Sequence, residues 1–156
     1  MQFEDIYNEY WQRVFRLCMG YTNDYAMAQD LAQDTFIAVW QHLPTFRNEA
    51  GIGTWIFKIA CNNCLRKIEK EKRLPKAELP LNLPEEVYTS VEPNIQLLYQ
   101  FISALPETAR IIISLELEGV KQAEIAQITG LSEANIRVKI HRIKEKLTKK
   151  FREHEQ

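Results

Sequence analysis

The chain has 156 residues, room for one ordinary domain or two small ones, and 46% of them are hydrophobic, enough for packed cores. Its formal net charge is only −1, but residues 1–43 carry two Arg against six acidic residues, whereas Ser132 to Arg152 carries eight Lys and Arg against two Glu. That asymmetry excludes a uniformly basic coat and implies different partners at the two ends.

With five Gly and few alternating apolar runs, the pattern is that of an all-α protein. A first helix is expected from Phe3 to Tyr21, with Ile6, Tyr10, Val14, Leu17 and Cys18 inward and Tyr7, Trp11 and Phe15 widening that face. A second is expected from Asp24 to His42, its core face formed by Ala28, Leu31, Ala32, Thr35, Val39 and Leu43. Gln29, Gln33, Phe36, Ile37 and Trp40 make an adjoining face that is too apolar for ordinary surface. It either receives a helix from another protein or is covered by the first or third helix of this chain. A polar loop, Pro44 to Gly53, leads to a third helix from Thr54 to Lys72, with Trp55, Ile56, Ile59, Ala60 and Cys64 inward and Lys58, Asn62, Asn63, Arg66 and Lys67 outward.

Pro75, Pro80, Pro84 and Pro93 then interrupt any helix, so the reading is a first domain over residues 1–73, a linker over 74–93 and a second domain over 94–156. The linker is either a plain tether or partly docked through Leu79, Leu81, Leu83, Val87 and Tyr88. The second domain is expected to hold four helices. One runs from Ile95 to Ala104; the next has Pro106 in its first turn and Ile111, Ile112, Leu115 and Leu117 as core. A short limb, Gln122 to Thr129, turns inward Ile125, Ala126 and Ile128. Gly130 supplies the positive φ of a tight turn, Leu131 pins it, and Ser132 caps the last helix.

That last helix carries Ile136, Ile140, Ile143, Leu147 and Phe151 at helical period. Opposite them lie Ala134, Val138, His141 and Glu145, flanked by Arg137 and Arg142. A helix apolar behind and basic in front, mounted on a short limb and a Gly turn, suits the DNA major groove. Without that mounting it would equally well be a solvated bundle helix.

Signals for other chemistry are weak. Cys61 and Cys64 have metal-like spacing, but inside an expected helix, with Cys18 the only other Cys and His42, His141 and His154 scattered. Buried small apolar residues account for them better, so no metal site is expected. No Gly-rich phosphate loop or catalytic Ser/His/Asp set is present, and Asp30 and Asp34 fit a solvated rim better than acid–base chemistry. Neither a cofactor nor catalysis is expected. Three Cys fit a reducing, cytoplasmic compartment; Glu4 and Asp5 stand where a signal peptide is basic; and no apolar run approaches the roughly 18 residues of a membrane span.

The two halves together resemble the sigma-70 family of bacterial transcription initiation factors, in its small two-domain extracytoplasmic-function (ECF) group. The resemblance rests on Ala28 to Trp40, then Leu43, Phe46 and Arg47, and on Thr54 to Asn62. It continues in Leu105-Pro106 with Ile111 to Leu117, Glu124-Ile125-Ala126, Gly130-Leu131-Ser132 and Ile136-Arg137 through His141-Arg142. It implies binding to core RNA polymerase, to the β′ clamp helices through Gln33, Phe36, Ile37 and Trp40 with Asp30 and Asp34 as rim, and to the β subunit. It implies capture of the melted −10 element on the non-template strand by Arg47, Asn48, Thr54, Lys58, Asn62 and Asn63, with Trp55 either stacking on a base or packing in the core. The last helix would then read the duplex −35 element. Arg137, His141 and Arg142 suit bases or phosphates, Val138 a thymine methyl, Lys139 and Lys144 phosphates, and Ser132 stands at the entry. An anti-sigma partner is implied as well. The chain departs from the family pattern after Asn62, at Asn135 and at Lys139, positions that bear on which promoter is selected. Read without the resemblance, an ordinary helix-turn-helix regulator with a sensing or dimerising first half, or a nucleic-acid enzyme, remain the other readings.

Overall fold

The computed structural model describes residues 2–73 and 92–155, and of residues 68–73 the backbone alone. Among the described residues it is all-α. The elements are α1 (Phe3–Thr22), α2 (Tyr25–His42), a 3-10 turn (Leu43–Thr45), α3 (Ile52–Arg73), α4 (Pro93–Ser103), α5 (Glu107–Leu117), α6 (Gln122–Thr129) and α7 (Glu133–Glu155). The linker expected over 74–93 lies outside the described residues except at its end, where Pro93 opens α4.

Local chemistry sets the helix ends. Asn23 adopts the left-handed conformation at φ 50°, returns its N–H to the Met19 carbonyl and stops α1. One residue later the Asp24 carboxylate accepts the Met27 N–H at 3.1 Å and starts α2, a cap worth about 1 kcal/mol. Gly130, at φ 78°, closes α6 with its N–H on the Ala126 carbonyl. The Ser132 hydroxyl then accepts the Asn135 N–H at 3.1 Å at the head of α7, the role expected of it.

Helices α1, α2 and α3 enclose Ile6, Val14, Leu17, Leu31, Val39, Ile56 and Ala60; helices α4 to α7 enclose Ile102, Ile112, Leu115, Ile125, Ile136 and Ile140. Each Ile, Leu and Val among them contributes about 1.5–3 kcal/mol. Three expectations need correction. Leu117 is 49% exposed and not core, because α5 ends there and the chain turns away through Gly119 at φ 77°. Pro106 is the residue before α5, with its carbonyl accepting the Arg110 N–H, and not part of the first turn. Helix α3 begins at Ile52, so Gly53 belongs to its first turn, where a Cβ would stand 3.0 Å from the Tyr10 hydroxyl.

The two halves are packed against one another, with α5 and α4 along α1 and α6 against α3. Their buried residues form one continuous cluster.

Candidate nucleic-acid interface

Helix α7 presents two unlike sides. Ile136, Ile140, Ile143 and Leu147 are buried, while Arg137, Val138, His141 and Arg142 are exposed on the outer side. Arg137 and Arg142 make no ion pair or side-chain hydrogen bond among the described residues, so their guanidinium donors are free for an acceptor. Val138 is 47% exposed, an apolar spot between cations. His141 Nε2 stands 3.0 Å from Glu145 one turn on, a solvent-exposed pair that DNA could displace cheaply. Lys139 is half-buried. Lys144 leans toward α5, its Nζ 3.9 Å from Glu116, and so lies at the edge of the face. The Ser132 hydroxyl is committed to the cap, which leaves its exposed position as its contribution.

A second site lies between the end of α2 and the start of α3. A cavity of about 610 Å³ is lined by Phe46, Arg47, Asn48, Trp55 and Lys58, among others. Phe46 and Trp55 stack at 4.6 Å with 28° between ring planes. Trp55 is therefore neither sealed in the core nor solitary; it is one half of an aromatic platform, half-exposed, with Arg47 and Lys58 exposed beside it. Asn48 holds a left-handed φ of 57°, a conformation that Asn tolerates and that shapes the loop. Platform plus cations is what extruded bases on a charged backbone require.

Two residues expected here are partly or largely withdrawn from solvent. Thr54 is 7% exposed in the first turn of α3, so little of it is open to solvent, although it belongs to the lining of this cavity. Asn63 is half-buried and directs its amide at the Thr35 hydroxyl at 3.4 Å, tying α3 to α2, whereas Asn62 beside it is exposed. Gln127, on α6, lines the same cavity from the C-terminal half. Sequence gave no signal for it, since the contact depends on how the halves pack.

The apolar face of α2 is divided. Phe36 is 3% exposed, its ring 5.2 Å from Tyr7 and 5.7 Å from Trp11, so α1 covers it and it cannot be a direct contact. Ile37 and Trp40 are 55% and 64% exposed. With Phe3, Tyr7, Trp11 and Gln33 they border an open, mainly apolar groove over Phe36. Asp30, Gln33 and Asp34 are exposed along its flank. Of the two readings of this face, covered or open, each holds for a different part.

The three Cys are buried, Cys18 and Cys64 with sulfurs 3.9 Å apart. The hydrogen bond with Cys64, then burial, pushes the Cys18 thiol well up from its ordinary range, and burial, then the Cys64 thiol, does the same to Cys61. No group of metal-binding side chains occurs among the described residues, and no described helix is long and apolar enough to cross a membrane.

Comparisons with known proteins agree with this layout. Residues 6–74 match the family described as Sigma-70 region 2, and residues 95–147 match Sigma-70, region 4. The chain is 26% identical to the RNA polymerase sigma factor YlaC of Bacillus subtilis, covering 94% of this chain and 90% of that protein. It is 26% identical to the ECF RNA polymerase sigma factor SigW of the same organism, covering 97% and 89%. In fold it is similar to the sigma factor RpoE of Bartonella quintana, solved with the anti-sigma factor NepR, at a TM-score of 0.77, 18% identity and 94% coverage of both chains. Two region matches in order, relatives aligned nearly end to end, and a helix-turn-helix behind a three-helix module make the chain a member of the sigma-70 family, an ECF-type transcription initiation factor that directs core RNA polymerase to promoters.

Proposed function

We propose that this chain divides promoter recognition between the two DNA-facing sites and grips polymerase through α2. The outer side of α7 enters the major groove of the −35 element, where Arg137, Arg142 and His141 address bases or phosphates and Val138 meets a thymine methyl. Lys139 and Lys144 add phosphate contacts at the margin. The Phe46–Trp55 platform, with Arg47, Asn48, Lys58 and Asn62, holds bases of the melted non-template strand. Ile37, Trp40 and Gln33 receive the β′ clamp helices, with Asp30 and Asp34 as a charged rim and Phe36 as the buried support beneath. The C-terminal module additionally meets the β subunit. The observation that carries this reading is the stacked aromatic platform flanked by exposed cations, in the same chain as a basic recognition helix.

The chain acts by binding, without catalysis of its own, and works in the cytoplasm where promoters and polymerase are. Its fold likeness to a sigma factor solved with an anti-sigma factor supports a partner of that kind here. Permanganate oxidation of unpaired thymines in complexes of this chain, core polymerase and a selected promoter tests the assignment. Wild type is expected to expose reactive thymines around −10. The pair Arg47→Ala and Lys58→Ala is expected to lose that signal while −35 protection persists. Unchanged reactivity in the double variant would remove the cradle from the account.

A further inference from the structure

The cradle between α2 and α3 holds a titratable residue outside the contacts assigned above. His42 ends α2 and borders the cavity of about 610 Å³ together with Phe46, Arg47, Trp55 and Lys58. The turn that follows fixes its backbone. The His42 carbonyl accepts the Thr45 hydroxyl at 3.0 Å, and the Phe46 N–H donates to the Leu43 carbonyl at 3.1 Å. One short turn thus carries both the imidazole and the first ring of the Phe46–Trp55 stack. The imidazole is exposed and has no hydrogen-bond or ion-pair partner among the described residues.

The charges around it are few. Among the described residues the cavity wall carries Arg47 and Glu49 from the loop and Lys58 from α3; α2 adds only His42 itself, and α6 adds the uncharged Gln127. Two cations against one carboxylate leave a small positive surplus for a strand that is charged at every nucleotide. Histidine is the side chain able to enlarge that surplus in the ordinary pH range, because its charge changes between about pH 5 and 8. Two features favour the charged form once a strand is seated. His42 lies in the last turn of α2, where the helix dipole attracts a cation. A phosphate within reach adds a full negative charge, and an imidazolium donates to it more strongly than a neutral ring does. The other two histidines lack this setting: His141 pairs with Glu145, and His154 stands by Phe101, both on α7.

We propose that His42 is a proton-linked phosphate contact for the melted strand, exchanging its proton with solvent in the free cradle and retaining it when the non-template backbone is seated. This deepens the −10 assignment above and rests on it. The sign follows from linkage. A seated phosphate strengthens the hold of the ring on its proton, so the contact is complete in mild acid and is lost as pH rises through the titration of the bound ring. Capture of the opened strand is therefore tighter in mild acid, whereas Arg47 contributes equally across that range.

The experiment uses the complex of the full chain with core polymerase and a fluorescent single strand bearing only the −10 segment of a selected promoter, so that α7 is not engaged. Binding is titrated at about pH 6 and at about pH 8, over a series of salt concentrations, for wild type, His42→Gln and His42→Lys. Comparison between variants removes the polymerase groups that titrate on their own. Between the two pH values wild-type affinity is expected to fall about three- to tenfold more than that of His42→Gln. In wild type the slope of log affinity against log salt is expected to be steeper by about 0.7 at the lower pH, the contribution of one neutralised phosphate on a single strand. His42→Lys, charged at both, is expected to keep the steep slope and the tight binding throughout. Parallel pH profiles for wild type and His42→Gln, including an equal loss at both pH values, overturn the proposal, and so does a His42→Lys that behaves as His42→Gln does. If the pair Arg47→Ala and Lys58→Ala binds the strand as wild type does, the cradle itself fails, so the two failures are told apart.

Discussion

Truncating Trp40 separates interface from core more cleanly than any other change. A Trp side chain covers up to about 250 Å². With 64% of Trp40 exposed in the free chain, about 160 Å² remains for a partner to cover, worth about 4 kcal/mol at about 25 cal/mol per Å². Ordering costs on association reduce what is measured, so Trp40→Ala is expected to weaken core polymerase binding by about 2–4 kcal/mol, roughly 30- to 1,000-fold. The free protein should lose less than about 0.5 kcal/mol of stability, as for other exposed positions. Phe36→Ala, one turn away, should behave oppositely in stability. It empties a site covered by Tyr7 and Trp11 and is expected to cost about 3–5 kcal/mol of folding free energy. Polymerase binding by fluorescence anisotropy and urea unfolding, run on both variants, check this. If Trp40→Ala binds core as wild type does, α2 is not the grip and the groove over Phe36 has another use.

Arg142→Ala is expected to cost about 1–3 kcal/mol at the selected −35 sequence if its free guanidinium reads a base; equal loss on all duplexes in a competition assay would reduce it to a phosphate contact. Trp55→Ala should remove about 1–3 kcal/mol of stacking on a melted −10 strand without altering −35 duplex binding, as read by titration with each DNA separately. Tyr21 gives a pH prediction. Burial, chiefly, pushes its hydroxyl from the ordinary 10.0 up to about 12. The folded state thus favours the neutral form: its contribution is complete below pH 10 and falls as pH rises from about 10 to 12. Tyr21→Phe should flatten that part of the stability profile relative to wild type. At neutral pH it should be neutral or stabilising, because the hydroxyl it removes has no partner among the described residues; a large loss at pH 7 would show that a partner had been missed.

The sequence made most of the helices legible because their periodicity is strong and their ends use local chemistry. Gly130 and Ser132 act at the ends where backbone freedom and side chain suggested, and Asp24, expected as the first residue of its helix, stands one place before it as the cap. What it hid was anything that depends on tertiary packing. Phe36 shares a helical stripe with Ile37 and Trp40, yet only the position of α1 decides that Phe36 is covered while the other two are open. Thr54 borders the cavity yet is only 7% exposed, a degree of burial that depends on how α3 sits against its neighbours. Trp55 stood between stacking and core by pattern alone; the ring of Phe46, nine residues earlier, gives it a third state as a half-open platform. Gln127 at the cavity and the forked Arg16–Glu118 ion pair each join residues from opposite halves of the chain, and no local pattern marks such pairs.

Run-off transcription with purified core polymerase tests the division of labour most directly. The template carries a promoter selected with this chain, intact or with either the −35 or the −10 segment scrambled. The account predicts a discrete transcript only when the chain is present and both segments are intact, with loss of product from either scrambled template. A transcript that survives both scrambles, or none from the intact promoter, would contradict it.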